Sequence, residues 1–267
     1  MPFPGKPWIA PGRPFCGAYA GNPAWTPGTL SPLVWLDFSD ASSCTLNGGT
    51  VSAFANKGSI GGSFSQSTAG RQPKWNSSSP TLPSVSSITV DSSTIQYLTK
   101  TGMSAVSSMT EVLVFKVGAT PPVGTSFITA FGGYGVGANN VEVSVYGGAT
   151  SYGYVDSALA VNNWSSVYGN SKSFRRWWIF DASSTTPFGS PASQYVNAVQ
   201  NTVAATSIPA PGTAGGGKWS IGANIDGSFP AQAEIFQWIV YGRSLSAAEL
   251  LLVDAWVTSK YAGITWG

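Results

Sequence analysis

Glu234-Ile235-Phe236-Gln237-Trp238-Ile239-Val240-Tyr241, followed by Gly242-Arg243-Ser244-Leu245-Ser246-Ala247-Ala248-Glu249, is the stretch that decides the fold class. Its first eight residues are almost continuously β-branched, aliphatic or aromatic, the pattern of a strand buried on both faces. Gly242 interrupts the run with a turn. Ser246 and Glu249 then stand at capping-box spacing, with Leu245 and Leu250 placed as a hydrophobic staple. Leu250, Val253, Val257 and Tyr261 recur on one face of a helix. Lys260 suits its C-terminal dipole and Gly263 its C′ position. One structural helix therefore closes a chain whose remainder reads as strands and turns.

The front of the chain mirrors the back. In Pro32-Leu33-Val34-Trp35-Leu36-Asp37-Phe38, the residues Val34, Leu36 and Phe38 alternate with Trp35 and Asp37 at period two. Residues 51–55, 126–131, 141–146, 176–180, 193–197 and 218–222 continue the series of short strands. Glu111-Val112-Leu113-Val114-Phe115-Lys116-Val117, apolar on both faces, reads as a central strand. Regular short strands punctuated by Gly and Pro argue for a sandwich or barrel, and 267 residues suit one large sandwich with a tail.

Composition excludes several classes of function. Charged residues make up 9% of the chain, against about 25% in an average globular protein, so no basic groove for nucleic acid is expected. The doublet Arg175-Arg176 precedes Trp177-Trp178 and reads as a strand entry with snorkelling arginines. Histidine is absent, which removes the commonest metal ligand and general base. Cys16 and Cys44 lack metal-ligand spacing; they either pair, tying the arm to the first strand, or stand as unlinked thiols. The N-terminus lacks an apolar h-region and a small-residue cleavage site, so no secretory signal is expected. No stretch is apolar enough to span a bilayer.

Residues 1–30 form a distinct segment. Prolines 2, 4, 7, 11, 14, 23 and 27 alternate with Gly and with Phe3, Trp8, Phe15, Tyr19 and Trp25. Proline removes backbone donors and fixes φ, so the segment is extended and polyproline-like. Exposing so many aromatics to water is unfavourable. The arm either docks in a groove on a partner subunit or folds back on its own domain, residues 31–267.

Leu33-Val34-Trp35-Leu36-Asp37, Asn56-Lys57-Gly58, Tyr195-Val196-Asn197-Ala198, Ser220-Ile221-Gly222 and the stretch from Glu234 to Glu249, in that order, resemble the laminin-G-like, concanavalin A-like jelly rolls over roughly residues 30 to 267. The resemblance implies an all-β fold: two antiparallel sheets forming a sandwich, ligands at a concave face or loop rim, and structural roles for Asp37 and Glu234 at buried corners. It implies no single function, since such sandwiches serve as lectins, glucanases, adhesins and virion components.

Jelly-roll glucanases place two acids on one strand about 5–5.5 Å apart. The strand after Glu234 offers one carboxylate and then apolar side chains, and no histidine serves a nucleophilic serine, so no catalytic residue and no enzyme is expected. Asp156 with Asn162 and Asn163, or Asn224 with Asp226, form no dense acidic loop for calcium, so neither metal nor cofactor is expected. The segment richest in sugar-stacking chemistry holds Tyr152, Tyr154, Asp156, Asn163, Trp164 and Tyr168, aromatics interleaved with small polar residues. They read either as exposed loop residues binding glycan or as ordinary hairpin aromatics.

By analogy within the resemblance, these features describe a non-enzymatic bacteriophage virion protein, a capsid decoration, head fibre or tail-associated component. It would be made in the host cytoplasm, anchored by its arm to other virion proteins as a homo-oligomer, and display a jelly roll toward cell-surface polysaccharide. The alternatives are a free carbohydrate-binding lectin module or a glucanase-like hydrolase.

Overall fold

The computed structural model describes residues 25–104, 106, 108–119, 128–131 and 217–266 with their side chains. It adds the strand backbones of 124–127, 141–147, 152–155, 161–164, 173–181, 193–196 and 199–201. A short 3-10 turn, Pro27–Leu30, leads into β1 (Val34–Asp37), β2 (Cys44–Asn47), β3 (Thr50–Ala55), β4 (Ser63–Ser65) and β5 (Lys74–Asn76). β6 (Ser87–Val90), β7 (Leu98–Met103), β8 (Ser108–Val117), β9 (Gly124–Phe131), β10 (Val141–Gly147), β11 (Tyr152–Val155) and β12 (Val161–Trp164) follow. The chain continues with β13 (Ser173–Asp181), β14 (Ser193–Val196), β15 (Val199–Asn201), β16 (Gly217–Ile221), β17 (Ala233–Tyr241) and α1 (Ala247–Lys260).

β17 is the axis of the structure. All nine of its residues are buried. β8 runs antiparallel along one side of it, and β6 then β1 along the other, with Val34 opposite Val240 and Ala233 opposite Val90. Period-two alternation sends Ile235, Trp238 and Val240 into one core with Val34, Phe54, Phe64, Leu98, Phe131, Trp219 and Ile221. Phe236, Ile239 and Tyr241 enter a second core under α1, with Val112, Val114, Val253, Val257 and Tyr261. A fully buried aliphatic or aromatic side chain of this kind contributes about 1.5–3 kcal/mol, which is why this strand admits so few polar residues. The bulge between Ile235 and Gln237 resets the alternation, so that Phe236 and Gln237 both face Tyr261 on the α1 side before Trp238 returns to the first core.

The expectation of two separate sheets in a concanavalin A-like sandwich is corrected. The seventeen described strands form one continuous hydrogen-bonded sheet. The corner is made by three-residue strands: Lys74 of β5 bridges Thr50 on one side and Thr89 on the other. Ser65 of β4 likewise joins β7 at Thr99. The sheet folds back on itself, so that Phe64 packs edge-on against Trp238 with ring centroids 5.2 Å apart. Bridges made by single polar residues leave no periodicity, so the sequence reads as two sheets where the backbone makes one.

α1 begins as its sequence dictates. Ser246 Oγ accepts from the Glu249 amide, and Glu249 accepts from the Ser246 amide at 2.8 Å. Arg243 forks the same carboxylate at 2.6 and 3.0 Å. That hydrogen bond, helped by the Ser246 amide, holds the Glu249 carboxyl down at about 2. The helix ends at Lys260 with Tyr261 as its cap, earlier than a Gly263 C′ position implies. Gly263 serves packing instead: a Cβ there would lie 2.4 Å from Leu82 Cδ1.

Residues 25–30, expected in the arm, rest on the body. Pro27 is buried, and Trp25 and Leu30 pack against the second core.

Candidate functional site

Three acids are buried among the described residues, and each has a structural tie. Asp37, at the end of β1, accepts from Lys260 Nζ at 2.6 Å through both oxygens. It also accepts from Ser39 N and Oγ, at 3.2 and 2.6 Å. Burial pushes its carboxyl up, but the charge and hydrogen bond of Lys260, then Ser39 and Lys57, outweigh this and leave it lowered. Lys260 itself is lowered by burial, which the facing Asp37 only partly offsets. Gln237, fully buried in β17, completes the cluster. With its amide nitrogen toward Asp37 Oδ1 (3.3 Å) and Tyr261 Oη (2.9 Å), its oxygen accepts from Trp35 Nε1 at 2.5 Å. Lys57 bridges outward to Asp40 at 2.6 Å, and that hydrogen bond, with those from Ser42, holds the Asp40 carboxyl far below its ordinary range.

Glu234 receives hydroxyl donors at both oxygens. Ser79 Oγ and Ser87 Oγ each donate to Oε1 at 2.6 Å, and Thr81 Oγ1 donates to Oε2. The corner role is served by side-chain hydroxyls. Glu111, fully buried on β8, accepts from Thr129 Oγ1 at 2.6 Å and Trp238 Nε1 at 2.9 Å. These carboxylates fix strand positions.

The tyrosine-rich segment, open between exposed loop residues and hairpin aromatics, contributes described residues to two paired strands. Tyr152 and Tyr154 lie on β11, and Asn163 and Trp164 on β12, while Asp156 and Tyr168 lie outside the described residues. Register sets Tyr152 directly opposite Trp164, and Tyr154 opposite Asn162. Because alternate residues share a face, these four occupy one side of the sheet. Asn163, opposite Gly153, occupies the other. The sequence set is thus divided between the two faces, and Asn162 shares the face of the aromatics. Its signal was the spacing of 152 and 154 against 162 and 164.

That face can be followed into the core. Across the ladder, Asn162 and Tyr154 align with Val143, Thr129, Ile221 and Leu98. Ile221 and Leu98 are fully buried in the first core. The tyrosine–tryptophan rung is therefore placed on the extension of the core-side face, beside β12, which among the described residues pairs only with β11.

No three of His, Cys, Asp and Glu gather around a possible metal position among the described residues. Asn224 accepts from the Ile225 amide, and Asp226 from Ser228, so both serve a turn. Of the arm aromatics, Trp25 packs on the chain's own second core; Phe3, Trp8, Phe15 and Tyr19 lie outside the described residues, as does Cys16. The Cys44 thiol is pushed up by burial to about 11.

No protein-family model matches the chain, and no curated protein does. Solved structures do. Trypanosoma rangeli sialidase in complex with 2,3-difluoro-KDN is similar over 92% of this chain and 36% of its own, at 12% identity and a TM-score of 0.52. The same sialidase with 2,3-difluorosialic acid, a covalent intermediate, is similar over 88% of this chain and 34% of its own, at 13% identity and a TM-score of 0.51. The NanB sialidase of Streptococcus pneumoniae is similar over 54% of this chain and 23% of its own, at 17% identity and a TM-score of 0.39. The chain thus spans about a third of the length of the T. rangeli sialidase or less of NanB.

These neighbours correct three expectations. The fold is of a sialidase type, not the laminin-G-like or concanavalin A-like jelly roll that the short motifs suggested. Trp35-Leu36-Asp37 and the turn at Arg243 describe how an end strand meets a helix, a local arrangement that does not specify how the strands are joined. The reading as a non-enzymatic phage structural protein, which rested on that resemblance, falls with it. So does the expectation of no catalysis, since the fold is one that enzymes carry. Paired carboxylates and a histidine base mark other hydrolases; sialidases employ a tyrosine nucleophile instead, which neither feature reports.

Proposed function

We propose that this chain is the glycan-engaging part of a sialidase-type, glycan-cleaving protein, and that it takes sialylated sugars. The observation that carries the reading is the fold shared with T. rangeli sialidase over 88–92% of the chain. The β11–β12 pair supports it: register sets Tyr152 opposite Trp164 and Tyr154 opposite Asn162, aromatic and amide residue types on neighbouring rungs. Sugar C–H faces stack on the first and hydroxyls bond to the second. The formal charge of +2 suits an anionic sugar.

The test is calorimetric titration of the chain with sialyllactose and lactose, alongside release of free sialic acid from a fluorogenic sialoside. Saturable binding of sialyllactose is expected, weakened at least tenfold in Trp164→Ala or Tyr152→Ala, with sialic acid released when the chain acts on the sialoside. Absence of both binding and release would sink the proposal, as would binding that both substitutions leave unchanged.

A further inference from the structure

Four tryptophans rim the second core: Trp25, Trp35, Trp256 and Trp266 are partly buried there, on the side of the sheet that α1 covers. Trp35 and Trp256 meet edge to face at 6.2 Å and 79°, and Lys260 Nζ stands 4.8 Å above the Trp256 ring. The described chain begins at this place. Gly28 lies so close over Trp35 that a Cβ would sit 3.1 Å from Cζ3, and Tyr241 Oη donates to the Pro27 carbonyl at 3.4 Å. Trp25, to which residues 1–24 are joined, packs at this rim. Those residues hold six prolines and the aromatics Phe3, Trp8, Phe15 and Tyr19.

We infer that residues 1–24 dock along the Trp35–Trp256 rim of their own chain in polyproline form. Proline-rich segments bind aromatic-lined grooves because they are already extended and lose little entropy on docking. At about 3.1 Å per residue, 24 residues reach far beyond the length of α1. Anchored at Trp25, the segment meets this rim at high effective concentration, which favours its own rim over another copy's.

Chymotrypsin supplies the test, with cleavage after Trp8, Phe15 and Tyr19 followed by mass spectrometry on the full chain. Docking predicts protection of these sites at all protein concentrations in a monomer by sedimentation. Trp256→Ala should speed their cleavage at least tenfold. A second variant, Pro7→Ala with Pro11→Ala, changes only the arm and should also speed cleavage after Phe15, so a folding failure of the first variant leaves the outcome readable. Rapid cleavage in the unaltered chain, or protection unchanged in the proline variant, overturns the proposal. Protection that appears only with a concentration-dependent dimer overturns it in favour of exchange between copies.

Discussion

Lys260→Met removes the cation that holds Asp37 in the interior. Asp37 is 5% exposed, and Lys260 Nζ lies 2.6 Å from each of its oxygens. Breaking a buried pair by deleting one partner costs roughly 3–5 kcal/mol, because the other charge is left without compensation. Here three donor residues remain: Ser39 through its amide and hydroxyl, the Gln237 amide, and Lys57 at 3.5 Å, the last shared with Asp40. We therefore expect a loss of about 2–4 kcal/mol at pH 7, somewhat below the full range. It would be read as a lowered urea midpoint at unchanged slope. The double variant Asp37→Leu with Lys260→Met should be more stable than Lys260→Met alone, since neither charge then needs solvation.

The pH dependence carries a sign. The Asp37 carboxyl is lowered in the folded protein, so its contribution is complete above the ordinary carboxylate value of 3.8 and is lost as pH falls through the lowered one. Without Lys260, burial dominates and the carboxyl protonates more readily. The gap between the two proteins should accordingly narrow from pH 7 to pH 3. A loss under ~1 kcal/mol, a typical value for exposed pairs, would refute the reasoning, as would a gap of equal size at both pH values.

Two further substitutions probe how local sequence sets the fold. Ser246→Ala removes the hydroxyl that accepts from the Glu249 amide and should cost about 1 kcal/mol, read by thermal unfolding; no change would show that Arg243 and Glu249 hold the turn unaided. Gly58→Ala places a Cβ 2.3 Å from the Leu33 carbonyl oxygen and 2.8 Å from the Val34 amide nitrogen. Backbone at that distance has little room to yield, so a loss of at least about 1–3 kcal/mol is expected from overpacking, and wild-type stability would show that the 56–62 loop moves freely.

What the sequence revealed depended on how many residues shared a signal. β8 and β17 are long apolar runs, and the capping box needs only Ser246 and Glu249, so these were legible. β4 and β5 are three residues each, mostly polar, and their work is done by backbone bridges at Ser65 and Lys74, where side-chain identity says nothing. Lys260 read as a helix-dipole residue. Its partner, Asp37, is 223 positions away, a contact that no local pattern reports. Gln237 looked like an accident in an apolar strand, yet it is the hub joining Trp35, Asp37 and Tyr261. In the candidate site the aromatics were legible by composition. Their division between two faces followed only from strand register, which the composition of a tyrosine-rich segment does not announce.

The pairing of Val34 with Val240 also has a consequence in time. β1 leaves the ribosome some two hundred residues before the strand that completes its ladder, and β8 waits on the same partner. Contacts this distant in sequence make folding slow, and during synthesis Leu113, Phe115 and Val34 have no β17 to cover them. Such exposed edges are prone to aggregate. A chain that stops before Ala233 therefore lacks the strand on which both cores depend. Loss of the final 35 residues should abolish the fold altogether rather than trim it.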